Sequence, residues 1–115
     1  MSKSVTLSRG VAAVGMLSAL IGTAYADVTV KIGEVAPLTG PASYLGKDTE
    51  NGARLAVEEI DQKGLVVGGQ KVKLVLDAED DAGDPRQATQ VAQKLVDDEV
   101  VAVVGHMNSG TRRTA

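Results

Sequence analysis

The chain has few residues with chemistry to offer. His106 is the only histidine, there is no cysteine, and five of the fifteen acidic side chains fall in one stretch, Asp77, Glu79, Asp80, Asp81 and Asp84. A protein metal site needs about three or four ligands at close quarters. His106 has no second histidine or cysteine to join it, so it reads as a packed or turn residue. A nucleophile–base–acid set lacks parts for the same reason; no catalytic residue is assigned, and the chain does not read as an enzyme. The acidic stretch also fails as a calcium loop, which wants glycine at its sixth position and glutamate at its twelfth. Counting from Asp77, those places hold Ala82 and Ala88. The stretch reads instead as a solvated turn whose last acid, Asp84, caps a helix. No metal and no cofactor are expected.

Two further patterns bear on nucleotides. "GPASYLGKD" resembles a phosphate loop, but Gly40 and Gly46 enclose five residues, not four, and Asp48 follows Lys47 where a hydroxyl belongs. An aspartate there repels phosphate. The dinucleotide pattern is absent after the first strand. Ser109 and Thr111 are more promising. They follow an apolar run at the point where a helix would begin, and such a point gathers free backbone N–H groups suited to a carboxylate. An equally good reading makes one of them an ordinary N-cap.

These residues have to be positioned by something. Lys3 and Arg9, the apolar run Gly10–Ile21 and "AYA" at residues 24–26 have the three parts of a secretory signal cleaved before Asp27. The apolar run is shorter than the roughly 20 residues a membrane helix needs. Setting aside 26 of the 115 residues leaves 89, and removing Lys3 and Arg9 from twelve basic residues leaves ten against fifteen acidic, a net charge near −5. That balance disfavours nucleic acid and anionic membrane as partners. Without cysteine, an exported chain has no disulfide framework. A periplasm is the compartment that fits.

Residues 28–36 alternate as a strand, and "PLTGP" ends it. From about Asp48 to Lys63 the period becomes helical, with Gly52, Ala53, Ala56, Val57 and Ile60 on one face and Gly64 as C-cap. Gly68-Gly69 turns the chain, and Val72, Leu74 and Leu76 mark a second strand. Asp84 and Pro85 open a second helix carrying an apolar stripe of Ala88, Val91, Ala92, Leu95 and Val96. "VVAVVG", residues 100–105, is continuously apolar, as suits a strand buried on both faces of a parallel sheet. The order β-α-β-α-β predicts an α/β fold, a three-layer parallel sheet with right-handed crossovers. Ligands of such sheets sit beyond the carboxyl ends of the strands. Two loops leave those ends, "PLTGPASYLG" and "HMNSGT".

"VAPLTGPASYLGKDTENGARLAVEEID", "LDAEDDAGDPRQATQVAQKLVDDEVVAVVGH" and "HMNSGT", in that order and spacing, resemble the periplasmic branched-chain amino-acid-binding proteins, the substrate-binding components of ABC importers. The resemblance implies a two-lobe fold closing on leucine, isoleucine or valine, with membrane permease subunits as partners. Residues 27–115 would be the opening part of the first lobe. By position Ser109 matches the family serine that bonds the ligand α-carboxylate, with Thr111 in the same loop. Leu45 or Tyr44 falls where the family lines the apolar side-chain pocket. Some relatives join two of these loops by a disulfide, and the corresponding places here hold Gly83 and Asn108. Family members continue after this loop with an apolar residue and a proline, whereas here Arg112-Arg113-Thr114 intervenes. The expectation is therefore a truncated or frameshifted chain, with its last residues out of frame, that exposes strand edges and does not bind alone. The same fold also serves ligand-sensing domains of receptors and regulators, which is the alternative function.

Overall fold

The computed structural model describes residues 27–115; the signal segment read at residues 1–26 lies outside them. Strand β1 (Asp27–Ala36) leads into helix α1 (Ser43–Lys63), strands β2 (Leu65–Val67) and β3 (Gln70–Asp80), helix α2 (Pro85–Asp97), strand β4 (Ala102–Gly105) and the single turn α3 (Ser109–Arg112). The sheet order is β2-β3-β1-β4. β1 runs parallel to β3, pairing Asp27 with Lys71 through Ala36 with Asp80, and parallel to β4, pairing Ile32 with Ala102 through Val35 with Gly105.

The expected strand–helix alternation is present, with one correction. The sheet is mixed, because Gly68 and Gly69, at φ 57° and 78°, fold Leu65–Val67 back onto β3 as an antiparallel edge. Glycine reaches such angles without steric cost. The helices lie on opposite faces and make the three layers. Along β1, Gly33 and Val35 face α2, where Val35, Val91 and Leu95 form the core. Ile32 faces α1, which presents Gly52, Ala53, Ala56, Val57 and Ile60 toward Ile32, Leu74, Leu76 and Val104, as the helical period predicts. This second interface keeps an open apolar groove of about 460 Å³.

Two further expectations need correction. α1 begins at Ser43 instead of near Asp48, so Tyr44 and Leu45 lie on its first turn and not in a loop. The reason is local: Gly40 turns the chain with its carbonyl accepting from the Ser43 N–H, and Ala42 accepts from Leu45 and Gly46. Residues 100–105 are not buried on both faces. β4 is an edge strand of four residues, and Val101, Val103 and Val104 stay 68%, 46% and 45% exposed, since no helix among the described residues covers them fully. The signals at both helix ends behave as expected. Asp84 Oδ1 accepts from the Arg86 and Gln87 N–H groups at 2.7 and 3.0 Å, and the Gly64 N–H returns to Ile60 and Asp61.

Backbone approaches tie the strand ends together. A Cβ on Gly46 would run into the Pro37 carbonyl, and one on Gly105, at φ 124°, into the carbonyl of Val35. Gly52, by contrast, meets nothing within 4 Å. Gly46→Ala and Gly105→Ala are each expected to destabilise the fold by about 2 kcal/mol or more through forced backbone displacement. Gly52→Ala, mid-helix and in open space, is expected to stabilise it by about 0.5–1 kcal/mol. Urea midpoints of the three variants check the opposite signs.

Candidate functional site

The carboxyl ends of β1, β3 and β4 lie side by side, and the loops leaving them are stitched by two adjacent aspartates. Asp80 ends β3. Its Oδ1 accepts from the Leu38 N–H at 2.8 Å, the Thr39 N–H at 3.3 Å and the Ala82 N–H at 2.7 Å, and its Oδ2 accepts from the Thr39 hydroxyl. Partial burial works against its charge. The hydrogen bonds from Thr39, Ala82 and Leu38 outweigh burial and hold the carboxyl below its ordinary range. The loop after β1 is thus held to the loop after β3.

Asp81 does the same for the third loop. It is fully buried, its Oδ1 accepts from the Gly83 N–H at 2.9 Å, and its Oδ2 lies 3.0 Å from His106 Nδ1. An ionised carboxylate only accepts, which assigns the proton of that bond to Nδ1. His106, 5% exposed, is therefore the packed residue expected, held by a charge-assisted bond. Gly83 and Asn108, the places where some relatives are implied to carry a disulfide, are neighbours here: a Cβ on Gly83 would stand 3.2 Å from Asn108 Nδ2.

The four residues singled out from sequence meet different fates. Ser109 is exposed in the first turn of α3, directly past β4, and Asn108 rather than Ser109 or Thr111 is the N-cap. Thr111 is buried at 1% exposure and its hydroxyl donates to the Asn108 carbonyl at 2.9 Å, so it is committed within its own turn. Tyr44 and Leu45 project from the start of α1 with 66% and 43% exposure. One turn further on, the Thr49 hydroxyl donates to the Leu45 carbonyl and lies 3.7 Å from the sulfur of Met107, two residues before Ser109. α1 and the β4 loop therefore meet at this end of the sheet. The closing residues pack on it as well. The Arg112 guanidinium donates to the His106 carbonyl, and the Thr114 hydroxyl to those of Thr111 and Pro85.

The acidic stretch is not simply a solvated turn. That reading holds for Asp84, which caps α2, but it missed Asp80 and Asp81. The pattern that could have revealed them is two acids directly after a strand and before a glycine turn, where unpaired N–H groups accumulate. Elsewhere Asp77, Glu79 and Asp98 bring carboxylate oxygens within 4.8 Å of one another. The Lys94 ammonium already sits 2.6 Å from both Glu79 and Asp98, and those bonds push its pKa further up. A side-chain cation thus neutralises the one acidic cluster found among the described residues.

Comparison with known proteins decides the family. The sequence profile of the periplasmic binding protein family matches residues 29–115. The chain belongs to the periplasmic binding protein family. Over 87 residues it is 47% identical to the Leu/Ile/Val-binding protein BraC3 of Rhizobium johnstonii, an alignment covering 76% of this chain and 22% of that one. Among solved structures it resembles the branched-chain amino acid transporter substrate binding protein LivJ of Streptococcus pneumoniae in complex with isoleucine. That likeness has a TM-score of 0.68 and 31% identity, covering 76% of this chain and 25% of LivJ. A solute binding protein of an ABC transporter from Rhodopseudomonas palustris, in complex with 3,4-dihydroxy benzoic acid, matches at TM-score 0.59 and 31% identity, covering 76% and 23%. The chain thus spans about a quarter of the length of the proteins it matches.

The Asp80 stitch yields a pH-dependent expectation. A carboxyl whose folded pKa is depressed contributes stability above its unfolded value and loses it as pH falls through the folded one. Asp80→Ala should cost about 1.5–3 kcal/mol at pH 7, the usual value of charge-assisted hydrogen bonds. The gap from the wild type should close below pH 3.8, the ordinary carboxyl value. Urea unfolding at pH 7 and pH 3 measures both numbers.

Proposed function

We propose that residues 27–115 supply the opening part of the first of two lobes that close on a branched-chain amino acid, in the substrate-binding component of an ABC importer. On this reading the segment before Asp27 is a cleaved export signal, the protein works in the periplasm, and its partners are leucine, isoleucine or valine and the permease subunits. It performs no reaction on the ligand and needs no cofactor.

One observation carries the reading: an exposed Ser109 stands just past the carboxyl ends of the sheet's three parallel strands, on a loop anchored from behind by the buried Asp81–His106 pair. A ligand carboxylate can accept from the Ser109 hydroxyl and from first-turn N–H groups, which have no intrahelical acceptor. Rigid anchoring spares the loop the entropy of ordering on binding. Thr111, buried and donating to Asn108, shapes the turn and makes no direct contact in this proposal. Tyr44 and Leu45, exposed and apolar, would form the near wall against the ligand side chain. The facing wall and the ammonium partner belong to the second lobe, because such proteins hold their ligand by closure of two domains.

The neighbour with 3,4-dihydroxy benzoic acid supports a second reading, an aromatic carboxylate. Its carboxylate would use the same serine, and the two readings differ only in what Tyr44, Leu45 and the other lobe accept.

The test is a chimera in which residues 27–115 replace the matching part of the Rhizobium johnstonii relative. Calorimetry should find leucine binding to the chimera, and Ser109→Ala should weaken it by about 10- to 100-fold, the loss of one charge-assisted hydrogen bond. Thr111→Ser should leave affinity within about threefold, since it keeps the turn-forming hydroxyl. Undiminished leucine affinity in Ser109→Ala removes Ser109 from the site. Binding of benzoate in place of leucine selects the second reading.

A further inference from the structure

Glu34 stands apart from the other acids at this end of the sheet. It is fully buried in β1, and neither carboxylate oxygen has a hydrogen-bond partner. The register explains why. Its neighbours across the sheet are Ala78 on β3 and Val104 on β4, and neither side chain can donate. The charged groups that act on it from α1 are Glu50 and Arg54, and from the β3 loop Asp81, which is itself bound to His106 of the β4 loop. Two of these are anions. The one cation, Arg54, is drawn away by its ion pair with Glu50, one turn back on the same helix.

A buried carboxylate without donors, faced by two other carboxylates, is costly, whereas the neutral acid is tolerated there. We propose that Glu34 is a proton-operated latch between β1 and the first half of α1. With the proton bound, α1 seats on the sheet. With the proton lost, the buried charge must find water or draw Arg54 from Glu50, and the seating of residues 46–54 loosens. Because Tyr44 and Leu45 lie one to two turns from Glu50 on that helix, the latch connects external pH to the exposed start of α1. The inference concerns this chain's own proton binding and does not depend on which ligand the crevice takes.

Burial first, then Glu50 and Asp81, push the Glu34 carboxyl up to about 7 against the pull of Arg54. A pKa raised on folding gives stability that is fully present below the ordinary value of 4.5 and is lost as pH rises through about 7. Glu34→Gln keeps the shape and neutrality of the protonated acid at every pH. The experiment follows amide exchange of residues 46–54 and urea unfolding in the full chain and in Glu34→Gln, at pH 5 and pH 8, with exchange corrected for intrinsic rates. The wild type should lose about 10- to 100-fold in its folding constant relative to the variant between those pH values, with the protection loss concentrated in residues 46–54. Carbon-13 titration of the wild-type Glu34 carboxyl gives an independent reading and serves alone if the variant does not fold. A midpoint well above 4.5 supports the latch. A midpoint near 4.5, or parallel pH profiles for the two proteins, overturns it.

Discussion

Three parallel strands ending side by side leave three loops whose backbone N–H groups have no ladder to join, and the whole end of the molecule depends on supplying them with acceptors. Asp80 and Asp81 are that supply. Together they accept from Leu38, Thr39, Ala82 and Gly83 and hold the His106 ring. An aspartate suits the task because its short side chain brings two oxygens close to the backbone and, when ionised, only accepts. The geometry of Ser109, the residue proposed to meet a ligand, is downstream of this. Its loop starts at His106, and His106 is fixed by Asp81.

The rest of the packing is uneven, in a way that follows from the same arrangement. On the α2 face, Leu95 and Val91 close tightly over Val35, and Gly33 is small enough to let Leu95 approach. On the α1 face, small residues leave a groove, and β4 exposes its valines at the edge. A sheet edge with uncovered apolar faces on both sides is a site of association until another element covers it. The well-packed face and the stitched loops therefore set the local geometry, and the groove and the edge are the surfaces that further elements would complete.

Much of this was legible in the sequence. The strand–helix alternation, the α2 cap at Asp84 and Pro85, the stop at Gly64 and the sheet-facing side of α1 all follow from periodicity and capping chemistry, which are local properties. Three features were not legible: the first rests on a local turn that helical periodicity does not show, and the other two depend on partners distant in the chain. The early start of α1 depends on the Gly40 turn and on Gly46 seating against Pro37. Whether residues 100–105 are buried depends on what covers an edge strand, and apolarity alone does not say. The roles of Asp80 and Asp81 depend on donors some 40 and 25 residues away. For the site, spacing left Ser109 and Thr111 as equals; only burial separates the exposed serine from the threonine spent on its own turn.

Four acids at one end of the fold then show how environment, not residue type, sets function. Asp84 accepts from the Gln87 and Arg86 N–H groups, which hold its carboxyl below the ordinary range. Asp80 is likewise lowered, its donors outweighing burial, and Asp81 meets Gly83 and His106. Glu34 sits beside these groups in the sheet with no donor, because a strand residue aims its side chain perpendicular to the N–H ladder while loop residues can reach the backbone. The N–H groups of Leu38, Thr39, Ala82 and Gly83 are already committed to Asp80 and Asp81, and the Arg54 guanidinium to Glu50. Asp81, together with Glu50 of α1, adds repulsion to the cost of charging Glu34. The anchoring that makes the loops rigid is thus also what withholds compensation from the one carboxyl beneath them, and loop anchoring and proton affinity are two consequences of a single distribution of hydrogen-bond donors.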